Sequence, residues 1–149
     1  METLILLYLF SATLYYAKNI RKYAGNSTFK EEVSNLKDYT RKIQEGTEKE
    51  GEEVKKAMSI AKVLAAVVAV VSAAINIAIA AYLKNPGFWI MTILCTTSDL
   101  CRMAWSLKRL GTDMTETFER QRYFSLVEQI FFMGYYLMGV ILVLVGLAG

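Results

Sequence analysis

The chain has 149 residues, enough for one domain, and 54% of them are hydrophobic, against roughly 45–50% in soluble globular proteins. A net charge of +3, with basic residues that never interleave with exposed aromatics, excludes a nucleic-acid surface, and the absence of histidine removes the commonest general base and metal ligand together. The apolar residues fall in nearly continuous runs over 60–83, 88–98 and 130–149, and no stretch alternates as a strand would, so the expectation is an all-α integral membrane helical bundle rather than a β-barrel.

The first element is an apolar run over residues 3–17, about 22 Å long as a helix and shorter than the roughly 30 Å hydrocarbon core. Glu2 stands where a signal peptide carries positive charge, and no small-x-small cleavage site precedes Gly25. With Tyr8, Tyr15 and Tyr16 suited to an interface and Lys18, Arg21 and Lys22 behind them, this reads as a short signal-anchor helix. Asn26-Ser27-Thr28 is a glycosylation sequon and also a helix start, with Ser27 or Thr28 capping. Phe29, Val33, Leu36, Thr40 and Ile43 then form a narrow apolar seam on an extramembrane amphipathic helix over 27–58, weakened at Gly46 and Gly51.

Residues 60–83 span about 36 Å as a helix, enough to cross a bilayer. At Lys84-Asn85-Pro86-Gly87, Asn85 can cap and Pro86 fits the first position of a new helix, which predicts a tight transmembrane hairpin of 60–83 with 87–110. Gly111 supplies a stop, Asp113 with Glu116 resembles a capping box, residues 113–123 are expected at the interface, and 124–148 cross again. The expected bundle therefore has three transmembrane helices and a shorter fourth at its N-terminus. Lys and Arg number 11 in residues 18–62, one in the central turn and five in 102–122. Four crossings gather 16 of these 17 on one side, the cytoplasmic side or its equivalent by the positive-inside rule, with both termini opposite if 3–17 span.

Polar residues recur where lipid is expected. Folding the hairpin about Asn85 sets Ser72 opposite Asp99 and Asn76 opposite Cys95 or Thr96, while Thr92, Thr96 and Asp99 share one helix face. Asp99 lies about 16 Å from the Phe88 end, near the midplane, where an ionised carboxylate costs about 3 kcal/mol; it is expected neutral, hydrogen-bonded or paired, with Arg102 at i+3 the local partner. Glu128 sits near the same boundary, more than a helical turn from Asp99, and depth matching brings Tyr135 or Tyr136 near Asp99. Ala61, Ala65, Ala69 and Ala73 make a ridge of small side chains that admits another helix, and Gly134, Gly139 and Gly146 give the last helix smooth spots.

Cys95 and Cys101 lie about 240° apart on one helix and cannot bridge each other. No nucleophile–base pair, phosphate loop or metal-spaced cluster is legible, so no catalytic residue, metal, cofactor or small-molecule substrate is expected. The first functional expectation is a non-catalytic structural subunit, in a bilayer, that packs against other membrane subunits or itself. The alternatives are a small homo-oligomeric pore lined by Thr92, Thr96 and Asp99 with Asn76, and a membrane-remodelling hairpin, for which the seam of 27–58 is narrow.

Overall fold

The computed structural model describes residues 1–49, 51–109 and 115–148, and these are α-helical with no strand among them. Six helices follow in order: α1 (Glu2–Ala24), α2 (Asn26–Lys49), α3 (Gly51–Leu83), α4 (Pro86–Arg109), α5 (Thr115–Arg120) and α6 (Arg122–Ala148). The expected stop at Gly111 and the cap at Asp113 lie outside the described residues.

Helix α1 is longer than its apolar run. Ile5, Tyr8, Leu9, Ala12, Tyr16, Asn19 and Tyr23 are buried or half-buried at spacings of three and four, so the helical face continues past residue 17 although hydropathy falls at Lys18. That face packs against α6 more extensively than any other two helices pack. Contact is close at Gly139, where an added Cβ would sit 3.1 Å from both Leu9 methyls and from Phe88 Cε2. Gly134 and Gly146 face open space instead.

The 27–58 helix expected from the seam is divided. Helix α2 ends at Lys49 and α3 begins at Gly51, and the two pack together where Gly46 meets Val54 at 3.4 Å from an added Cβ. Residues 51–58 are therefore the first turns of the long α3. Of the seam, Phe29 and Val33 are buried; Phe29 stacks on Phe118, and Arg122 lies 4.5 Å over its ring.

The corner between α1 and α2 corrects the expected cap. The Thr28 hydroxyl does not cap α2; it lies 3.1 to 3.4 Å from the carbonyls of Gly25, Lys22 and Arg21 and serves the unpaired end of α1. Arg122 donates to the carbonyls of Tyr23 and Ala24 at the same end, which joins the start of α6 to the finish of α1. At the α3–α4 turn, Asn85 Oδ1 accepts from the Phe88 amide at 2.9 Å, with Pro86 as the first residue of α4.

Four of the five long helices form two pairs, α1 with α6 and α3 with α4, joined where α4 meets α6. The Tyr82 hydroxyl donates to Glu2 at 2.8 Å, so α1 starts at the hairpin end of the molecule. The described basic residues from Lys18 to Lys62 and from Arg102 to Arg122 belong to the helix ends remote from Lys84.

Two helices, α3 and α6, are long and apolar enough to cross a membrane among the described residues. Helix α4 falls short of that standard because Asp99, Arg102, Lys108 and Arg109 dilute it, and α1 does so because Lys18, Arg21 and Lys22 fill its last turns. The surface is apolar to match: Val63, Leu64, Val67, Val70 and Val71 on α3 and Val127, Ile141, Leu144 and Val145 on α6 are all exposed.

Candidate functional site: a polar cleft between the helix pairs

Near the hairpin end the two pairs are closed by a buried polar layer. Asn76 on α3 accepts from the Tyr8 hydroxyl of α1 at 3.1 Å and donates to the Tyr136 hydroxyl of α6 at 3.2 Å. One amide thus links three helices. Beside it, the Thr92 hydroxyl lies 2.8 Å from the Phe88 carbonyl and 3.0 Å from the Tyr135 hydroxyl, and Tyr135 stacks on Phe88. These residues and Leu9, Cys95 and Phe132 make up the tightest part of the core. Cys95 and Cys101 are both free thiols.

Helices α1 and α3 are linked by the Tyr8–Asn76 and Glu2–Tyr82 bonds rather than packed along their length. The gap is a cavity of about 530 Å³. Ser72 and Asn76 of α3, Thr96, Asp99 and Arg102 of α4 and Gln129 of α6 all line it. The hairpin therefore brings together most of the polar positions that spacing singled out. At its mouth Lys22 and Glu32 pair at 3.1 Å, beside Tyr23, Phe29 and Phe118. The cavity lining thus runs from Asn76, beside the polar layer, to Lys22, Glu32 and Phe118 near the basic ends of the helices.

Three placements differ from the spacing argument. Arg102 does not pair with Asp99; its guanidinium is 2.6 Å from Glu128, which also accepts from Ser98 at 3.1 Å. An inter-helix partner on α6 outcompetes the i,i+3 neighbour because it lets the guanidinium extend toward the exposed end of its helix. Glu128 is accordingly not a turn removed from the Asp99 region but touches the residue next to it. Tyr135 and Tyr136 meet Thr92 and Asn76 rather than Asp99, so α6 is shifted along α4 relative to the depth estimate. Among the described residues no hydrogen bond or ion pair reaches the Asp99 carboxylate, and the buried Thr96 hydroxyl has no partner.

The alanine ridge lies along one lip of the cleft. Ala69 and Ala73 line the cavity, Ala65 is half-buried and Ala61 is exposed. A second cavity of about 750 Å³ lies outside the first, between α2 and the α4–α6 pair, walled by Leu36, Tyr39, Trp105 and Phe124. Spacing in the membrane segments did not single out Tyr8, Tyr16, Asn19 or Gln129. Asn19 donates to Gln129 at 3.1 Å, and Tyr16 stacks on both Phe132 and Tyr136. The positions 8, 12, 16, 19 and 23 carry that signal, visible once α1 is treated as one helix to residue 24.

Chemically the cleft offers one carboxylate, several hydroxyls and amides, and aromatic walls. The described residues contain no group of three Cys, Asp or Glu side chains able to hold a metal ion. No protein-family model matches the chain, and no curated protein or solved structure is significantly similar to it.

Proposed function

We propose that this chain is a non-catalytic integral membrane subunit that assembles laterally with other membrane proteins or with its own copies. In this reading α1, α3, α4 and α6 all cross the bilayer, the basic ends and α2 face the cytoplasm or its equivalent, and both termini lie opposite. Of the charge in α4 that lowers its hydropathy, Asp99 lines the cleft and Arg102, though exposed, is paired with Glu128 of α6; ionisable groups in membrane helices characteristically face the bundle interior or pair with one another.

The observation that carries the reading is the state of α3. Only 17% of its most apolar stretch is buried within the chain, against 33% for α6, and Ala61 and Ala65, the part of the ridge beyond the cleft-lining Ala69 and Ala73, are exposed and half-buried. Lipid gains nothing from small side chains, whereas a neighbouring helix gains close approach. Native mass spectrometry of the full chain in nanodiscs should find oligomers or a copurifying membrane partner, and Ala61→Leu with Ala65→Leu should reduce them. A monomer at every concentration, with nothing copurifying, would refute the proposal.

A conducting path is the second reading, favoured by Asp99, to which no described residue bonds. Such a path would run inside one chain, because the Thr92 hydroxyl is committed to Tyr135 and Thr96 and Asp99 line the internal cleft. Conductance in liposomes that changes with Asp99→Asn would support it.

A further inference from the structure

We infer that the cleft is a binding site for a primary ammonium group carried on a small apolar body. The charges around the cavity are neutralised except one: Lys22 is paired with Glu32 and Arg102 with Glu128, while no described residue pairs with Asp99. A half-buried carboxylate with no partner of its own calls for a positive charge.

Hydrogen-bonding chemistry narrows the cation. An alkylammonium presents three donors and accepts nothing. The cavity lining supplies acceptors to match: the Asp99 carboxylate from α4 and the Ser72 hydroxyl from α3. Asn76 and Asn19 are not available, being bonded to Tyr8, Tyr136 and Gln129. Val68, Ala69, Leu100 and Met103 of the lining add aliphatic surface. Tyr16, fixed by stacking on Phe132 and Tyr136, adds an aromatic ring of the kind that attracts a cation. A volume of about 530 Å³ falls within the roughly 300–1,000 Å³ of small-molecule sites.

The same ammonium group occurs on free amines and on ethanolamine lipid headgroups, and the site chemistry is common to both. The test uses the full chain in phosphatidylcholine nanodiscs, with benzylammonium and benzyl alcohol compared by saturation-transfer NMR. Benzylammonium should bind at least tenfold more tightly than the alcohol, and Asp99→Asn should erase the preference. Glu128→Gln should weaken benzylammonium binding although Glu128 does not line the cavity, because the released Arg102 then competes for Asp99 at i−3. Ala73→Leu, which leaves every charge in place, should weaken both probes by filling the cavity. Replacing part of the lipid with phosphatidylethanolamine separates the sources: competition identifies a headgroup, and undiminished benzylammonium binding identifies a free amine. Equal binding of the two probes, no binding of either, or a preference that survives Asp99→Asn would overturn the inference.

Discussion

Replacing Asn76 by Leu tests the polar layer beside the cleft. Leu keeps the branching and heavy-atom number of Asn, so the change removes polarity from a buried site without opening a cavity. It deletes the bonds to Tyr8 at 3.1 Å and to Tyr136 at 3.2 Å. Bonds between membrane helices contribute about 0.6 kcal/mol on average and up to about 1.7 kcal/mol, so two of them imply a loss of about 1–3 kcal/mol. Reversible unfolding in mixed detergent micelles, followed by helical circular dichroism, reads this directly. A double-mutant cycle with Tyr136→Phe should return a coupling of about 0.6–1.7 kcal/mol, because both changes remove the same bond. If Asn76→Leu leaves stability unchanged and the cycle is additive, the amide does not tie α1, α3 and α6 together and the polar layer beside the cleft is wrongly explained.

Other contacts make equally specific predictions. In Gly25→Ala the new Cβ would collide with Thr28 Oγ1, so the corner should lose about 1–2 kcal/mol. Adding Thr28→Ala should bring less than an additive further loss in the same unfolding assay. Gly139→Leu drives a side chain into Leu9 and Phe88 and should destabilise the α1–α6 pair by about 1–3 kcal/mol, with faster amide exchange in α1 as the readout. Glu128→Ala leaves Arg102 without its 2.6 Å partner; since Arg102 is 41% exposed, solvent should hold the loss to about 1–2 kcal/mol, measured by the same unfolding.

How much of this could be read from the sequence differs by element. The α3–α4 hairpin was legible because Asn85 and Pro86 mark a helix start by their local chemistry, and folding about that point brings Ser72, Asn76, Thr96 and Asp99 to one cavity. The length of α1 was not, because hydropathy reports lipid exposure and the turns holding Asn19 and Tyr23 are packed against protein. The role of Thr28 was hidden for a related reason: a hydroxyl near a helix boundary can serve the helix before it or the one after it, and spacing does not distinguish these. The partner of Arg102 depends on how far α6 is shifted along α4, a quantity set by packing at positions such as Phe88–Tyr135 rather than by either helix alone. An i,i+3 rule sees only its own helix.

The proposed membrane bundle holds a polar cleft that runs from the Asn76 layer toward the basic helix ends. Single cysteines placed in a Cys95→Ser, Cys101→Ser background of the full chain in liposomes, treated with a membrane-impermeant thiol reagent on one face at a time, test it most directly. Ser72→Cys should label from the face that carries Lys22 and Arg102 and resist reagent on the opposite face, and Thr92→Cys should be protected from both. Labelling of Ser72→Cys from the Lys84 face, or equal labelling of Ser72→Cys and Thr92→Cys, would contradict the account.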